Sequence, residues 1–169
     1  MKRLTTFIAL SVALAGCSAS TAQASPTISA RTVVHQSDLM ALVSERQMAA
    51  MVNQVKTRIG KTWYVFSGDT PAGWDCSGLV RWAYEQIGIE LPHSANKQGH
   101  LGHWVKTPQI GDIVVFGYPG TSTFFHSSLY AGNGMVIHAG FQKGMTTALI
   151  SLSSAAFKGS VIRFVRIIG

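Results

Sequence analysis

A run of turn formers, Gly68-Asp69-Thr70-Pro71-Ala72-Gly73, hands directly to Trp74-Asp75-Cys76-Ser77-Gly78-Leu79-Val80, and this junction constrains the chain more than any other stretch. From it onward Leu79, Val80, Ala83, Tyr84 and Ile87 recur at helical spacing and build one apolar face. Asp75 is a good N-cap, and Gly88 stands where a helix over 76–87 needs a glycine just past its end. Cys76 therefore falls in the first helical turn, where free backbone N–H groups and the helix dipole favour an anion. A thiol there is expected to lose its proton more easily than an ordinary one, and the thiolate is the nucleophilic form. The competing reading is a small buried core cysteine. Core cysteines sit within apolar runs, whereas this one follows a flexible turn.

The N-terminus strengthens the reactive reading. Met1-Lys2-Arg3 is a charged start, and Phe7 to Ala15 form an apolar run too short to span a bilayer. Leu14-Ala15-Gly16-Cys17 resembles a bacterial lipobox, which implies cleavage before Cys17 and lipidation of its thiol. Cleavage after Ala22-Gln23-Ala24 is the alternative and would release a soluble secreted or periplasmic protein. The lipoprotein reading is preferred because the cysteine follows the apolar run directly. By the sorting habit that the lipoprotein resemblance implies, Ser18 after the lipidated cysteine would suggest the outer membrane facing the periplasm. Either cleavage leaves Cys76 with no partner for an internal disulfide, and a lone thiol in an exported protein is exposed to oxidation.

Three segments follow: a signal peptide over 1–17, a Ser/Thr/Ala-rich tether over 18–36, and a domain over 37–169. Apolar residues make up 47% and charged residues 12%, the balance of a globular chain. Net charge is +7; without Lys2 and Arg3 it is 12 basic against 7 acidic residues, or +5. That excess suits anionic surroundings such as cell-wall polymer or lipid head groups. The basic residues are scattered and carry no nucleic-acid motif, so nucleic acid is excluded as a partner. A monomer is expected.

Ser37 is placed as the N-cap of a helix reaching about residue 59, with Leu39, Leu42, Val43, Met48, Met51, Val52, Val55 and Ile59 as its apolar stripe and Gly60 as its stop. The Ile110-to-Gly117 run is β-branched and reads as a buried strand, and residues 161–168 read as a closing strand with a wet face near the end of a sheet. His93, His100 and His103 lack an accompanying cysteine or carboxylate, so no metal or cofactor is expected.

Phe125-His126-Ser127-Ser128-Leu129-Tyr130-Ala131 and Met135-Val136-Ile137-His138-Ala139 form two strands around Gly132-Asn133-Gly134. A two-residue turn would pair His138 with Leu129 and leave His126 on the opposite face. A three-residue loop with a glycine bulge pairs His138 with Ser128 and puts both histidines on one face. The three-residue loop is expected, with Gly134 as the bulge residue.

A cysteine at a helix start and two same-face histidines make a nucleophile, base and orienter set: Cys76, His126 and His138. The Trp74-to-Val80 heptad is similar to the nucleophile motif of the NlpC and sixty-kilodalton secreted-protein family, papain-like cysteine peptidases of bacterial cell walls. The resemblance extends over about residues 45–169. Trp63-Tyr64-Val65-Phe66-Ser67-Gly68 resembles the family's Tyr-Val-Trp-Gly-Gly, with Phe66 and Ser67 as departures. Leu91-Pro92-His93-Ser94-Ala95-Asn96-Lys97-Gln98 resembles its Leu-Pro-Arg-Thr-Ser-Ala-Gln-Gln, and Gly111-Asp112-Ile113-Val114-Val115-Phe116 its Gly-Asp-Leu-Val-Phe-Phe. Around His126, Phe125 stands for the usual Ser and Ser127-Ser128 for Val-Gly.

The resemblance implies an α+β fold, papain-like, with N-terminal helices packed on a central antiparallel sheet. It implies hydrolysis of the γ-D-glutamyl bond to a diamino acid in peptidoglycan stem peptides. Tyr64, Asp75 and Ser77 would touch the substrate or the oxyanion. The alternatives are a catalytically inactive lipoprotein scaffold of the same fold and a papain-like amidase or acyltransferase.

Overall fold

The structure is a computed structural model describing residues 36–140 and 144–168. The leader, the tether and the lipidation site expected at Cys17 lie outside the described residues. The first element, α1 (Gln36–Lys56), presents Met48, Met51, Val52 and Val55 as a fully buried stripe. Two details of the expected helix change. Ser37 lies inside the helix rather than capping it, and Leu42 is exposed, one turn short of where the stripe meets the core. The side chains of Leu39 and Val43 lie outside the described residues.

Next comes a small hairpin, β1 (Asp69–Thr70) with β2 (Gly73–Trp74), built from the turn formers ahead of Cys76. The helix α2 (Cys76–Glu85) follows at once, and α3 (Ala95–Gln98) is a single turn. α2 stops two residues short of Ile87, and Gly88 closes the succeeding turn at φ +79°, a left-handed value glycine adopts without strain.

Six antiparallel strands form the sheet: β3 (His103–Val105), β4 (Ile113–Gly117), β5 (Phe124–Gly132), β6 (Met135–His138), β7 (Ala148–Ser151) and β8 (Val161–Arg166). Their order is β3-β8-β4-β5-β6-β7. β8 is thus an interior strand; the edge beyond it is β3, formed by residues the sequence presents as loop. Arg166 on β8 is not a solvent residue either. It clamps the buried Asp112 carboxylate through Nε at 3.1 Å and Nη2 at 2.8 Å, pinning β8 to the entry of β4.

Alternation along the strands divides the interior in two. On one face Ile113, Val115, Leu129, Ile137 and Val165 pack with α1 and α2. On the other Val114, Phe116 and Val136 pack under Phe157 from a 3-10 turn, Ala155–Phe157. The architecture is α+β, as expected.

The β5–β6 hairpin reaches the expected register by another device. The turn has two residues, Asn133 and Gly134, both at positive φ (+54° and +69°), between the paired Gly132 and Met135. By itself this turn would separate the histidines. A bulge between Tyr130 and Gly132 then shifts the ladder, so that Tyr130 pairs with Val136 and Leu129 with Ile137. Carried one residue further, that register sets His138 level with Ser128 and both histidines on one face.

Candidate active site

The start of α2 is fixed from below by its own capping residue. Asp75 Oδ1 accepts from the Gly78 amide at 2.8 Å and the Ser77 hydroxyl at 3.0 Å, and Oδ2 accepts from the Ser67 amide at 3.1 Å. His93 Nε2 closes on the same Oδ1 at 2.9 Å. The loop ahead wraps so closely under the helix that a Cβ on Gly78 would stand 2.0 Å from the Gly68 carbonyl oxygen. Only glycine fits there. Thus the oxygens of Asp75 and the hydroxyl of Ser77 are engaged inside the protein, holding the turn that carries Cys76.

The side chain of Gln98 braces this turn from the opposite side. It is fully buried, and its Nε2 donates to the Ser77 and Pro92 carbonyls, both at 2.9 Å. Gln98 and His93 are site residues the sequence reading did not single out for these roles; each acts through a contact distant in the chain.

Cys76 itself is half-buried. The sulfur is approached by the amides of Ser127, Ser77 and Cys76, and the first of these ties it to β5 one residue from His126. The Tyr130 amide and carbonyl point to the β4 side, bonding Asp112 and Gly111. By alternation the Ser127 amide points the other way, toward β6. There the paired ladder ends with Leu129 opposite Ile137, and β6 ends at His138.

His126 and His138 are 2% and 3% exposed, and His126 Nε2 lies 3.2 Å from His138 Nδ1. Phe157 and Phe116 wall the pair, with Phe157 6.2 Å from the His126 ring and 5.8 Å from His138. Removal from water holds both rings neutral. Burial, with the neighbouring His138 charge, brings the His126 pKa down to about 3. Burial takes His138 down to about 4, partly offset by a hydrogen bond with the Ala139 backbone.

The thiol departs from expectation. Burial raises its pKa, and the nearby Asp75 charge adds to this. The Ser127, Ser77 and Cys76 amides pull the other way and do not win. The helix start does favour an anion, but desolvation is larger, so the resting state is neutral thiol beside neutral imidazole. Tyr64 stands at the same opening. Its phenol is raised by burial and then by the Cys76 and Asp75 charges, which keeps its hydroxyl a donor.

A family model, NlpC/P60 family, matches residues 60–166, nearly the whole of the sheet and both helices at the site. The chain belongs to the NlpC/P60 family. Its α+β layout is accordingly the papain-like one. Among solved structures, an NlpC/P60 family protein from Bacillus cereus ATCC 10987 superimposes with a TM-score of 0.65 at 25% identity, over 72% of this chain and 40% of that one.

Two curated NlpC/P60 relatives bear on chemistry. The murein DD-endopeptidase MepS/murein LD-carboxypeptidase of Escherichia coli (strain K12) is 33% identical over 149 residues, 82% of this chain and 78% of its own. The gamma-DL-glutamyl hydrolase of Bacillus subtilis (strain 168) is 40% identical over 92 residues, 52% of this chain and 22% of its own. A probable endopeptidase of Mycobacterium tuberculosis (strain ATCC 25618 / H37Rv) is 39% identical over 92 residues, 53% of this chain and 23% of its own length, so it too is much longer.

Among the described residues no group of three or more His, Cys, Asp or Glu side chains is placed to hold a metal. The described helices include none long and apolar enough to cross a membrane.

Proposed function

We propose that this chain is a cysteine endopeptidase that hydrolyses an amide bond in peptidoglycan stem peptides, with Cys76 as nucleophile, His126 as base and His138 as orienter. The observation that carries the reading is the buried His126–His138 contact at 3.2 Å, one residue from Ser127, whose backbone lowers the pKa of the Cys76 thiol against the larger effect of burial.

The reaction needs one pair of tautomers, and the contact accommodates it. With Nε2 of His126 facing His138 Nδ1 at 3.2 Å, we assign Nδ1 of His126 as the nitrogen that takes the thiol proton. In that role the His126 proton sits on Nε2 and is donated to His138 Nδ1. Because both partners are neutral at rest, proton transfer accompanies attack on the carbonyl rather than preceding it. The Cys76 backbone N–H and the Tyr64 hydroxyl then face the tetrahedral oxyanion. His126 returns its proton to the leaving amine, and water resolves the acyl-enzyme.

The bond is read as γ-D-glutamyl to a diamino acid, which the glutamyl hydrolase relative supports. A bond between two D-centres is the second reading, favoured because the E. coli relative aligns over most of both chains. The +5 charge left once Lys2 and Arg3 are removed and the lipobox-like Cys17 fit a lipid-anchored protein of the cell envelope acting on an anionic polymer. The test is digestion of purified peptidoglycan followed by mass spectrometry of the new termini. New D-glutamyl C-termini support the first bond, and D-alanyl C-termini the second. The reading fails if no stem-peptide terminus appears, or if Cys76→Ala leaves turnover unchanged.

A further inference from the structure

Charge is distributed unevenly along this chain. From Leu91 onward Asp112 is the sole acidic side chain, against Lys97, Lys106, Lys143, Lys158, Arg163 and Arg166. Arg166 neutralises Asp112 internally. Among the described residues the remaining cations of this half enter no ion pair.

Two of them share one place. A groove of about 420 Å³ runs across the β3–β8 end of the sheet, lined by Trp104, Val105, Lys106, Ile162, Arg163 and Phe164. Trp104 is opposite Val165 and Val105 opposite Phe164, and the same register carried one residue past the end of β3 brings Lys106 level with Arg163. All three side chains therefore project on the face that carries α2 and α3. The Arg163 guanidinium lies over the Trp104 ring, 5.6 Å from its centroid, while the indole remains 54% exposed. Its Nε1–H is bonded to the Gly99 carbonyl at 2.9 Å, so the ring is a fixed platform rather than a mobile flap. The groove is also tied to the catalytic turn. Gly99 caps α3, whose Gln98 holds the Ser77 carbonyl, and Trp104 meets Phe124, two residues before His126, edge-on at 6.3 Å.

We propose that this groove is a second docking site for the acidic peptide–glycan polymer whose stem peptide reacts at Cys76. The proposal rests on the peptidoglycan reading above. A glutamyl residue joined through its γ-carboxyl keeps its α-carboxylate, so anionic groups repeat along the polymer and match two cations that have no acid of their own. A concave groove with a fixed indole suits an extended chain. A bilayer surface would call for a protruding apolar element instead. Docking here raises the local concentration of stem peptides at Cys76 without adding contacts at the reacting bond.

The test uses the full chain carrying Lys106→Glu and Arg163→Glu, with Lys106→Gln and Arg163→Gln as a milder pair. Both residues are exposed, so the fold is expected to persist, and turnover of a small soluble stem-peptide fragment verifies it. Turnover of that fragment stays unchanged, whereas KM on intact sacculi rises about tenfold and its salt dependence flattens. Equal effects on fragment and sacculi, or none on either, overturn the proposal. Sedimentation of the Cys76→Ala form with sacculi, with and without the charge reversals, reads the docking without turnover. If the fragment is never cut, the peptidase reading fails while this binding arm still decides the groove. Loss of binding to phosphatidylglycerol vesicles with unchanged sacculus binding would assign the groove to lipid and overturn the proposal.

Discussion

Acidification from pH 7 to pH 5 should destabilise the domain through two residues, His126 and His138. Both titrate in the folded state far below the ordinary histidine value of 6.5, at about 3 and about 4. The sign follows from proton counts. Below pH 6.5 the unfolded chain takes up a proton on each ring, whereas the folded protein does not until its own lower pKa is reached. Unfolding therefore binds protons over this window, and stability falls with pH at about 1.4 kcal/mol per unit for each ring. The loss begins near pH 6.5 and ends where the folded rings protonate. Summed over both rings, the step from pH 7 to pH 5 removes about 4 kcal/mol, a large share of the roughly 5–15 kcal/mol of a typical domain. Urea unfolding at pH 7, 6 and 5 reads this directly. With a slope near 2 kcal/mol per molar, the midpoint moves down by about 2 M. A variant carrying His126→Gln and His138→Gln loses both titrating rings, and its midpoint should move much less. If wild type and variant show parallel pH slopes, the rings are not held neutral by burial and the electrostatic description of the site is wrong.

Three further outcomes follow from the same geometry. Alkylation of Cys76 by iodoacetamide should climb with pH through 8 and above, without the flat acidic plateau of a resting thiolate–imidazolium pair, because burial raises the thiol; a plateau between pH 4 and 8 refutes the neutral resting state. Gly78→Ala should cost at least about 3 kcal/mol in urea unfolding, since its Cβ would lie 2.0 Å from a backbone oxygen of Gly68 that cannot swing aside; a cost under 1 kcal/mol would mean the loop is not packed on the helix. Asp75→Asn keeps the size of the cap but removes the charge and presents one amide N–H to donors, either at Ser67 or at Gly78 and Ser77; about 1–2 kcal/mol of stability should be lost, and an unchanged thermal midpoint would show the cap to be dispensable.

How much of this was readable beforehand depends on how far apart in sequence the interacting parts lie. The cap, the helix and the histidine face are set by neighbours within a few residues, and each is visible in the letters. Even there the route can differ from the result. The β5–β6 turn has two residues, and an extra residue at Ala131 in β5 restores the register that the expected three-residue loop was invoked to supply. Glycines at 132 and 134 allow either solution, so the pattern alone does not choose. Short edge strands leave still less trace: β3 and β7 are three and four residues long, and each pairs on one side only. Interposing β8 between β3 and β4 is a long-range choice, sealed by Arg166 reaching Asp112.

The thiol shows most plainly what local reasoning omits. Position at a helix start is a local property and argues for an anion. Burial is not local: it comes from β5 meeting the first turn of α2, from Gln98 bracing that turn, and from Phe157 closing over two rings well earlier in the chain, His126 and His138. Those contacts remove the water that would stabilise either charge, so burial pushes the thiol pKa up and the imidazole pKa down. Desolvation that raises the cost of a resting ion pair also strengthens every hydrogen bond aimed at the oxyanion. If Cys76 is the nucleophile proposed above, the same packing that disfavours its resting thiolate also favours the charge that would develop during attack.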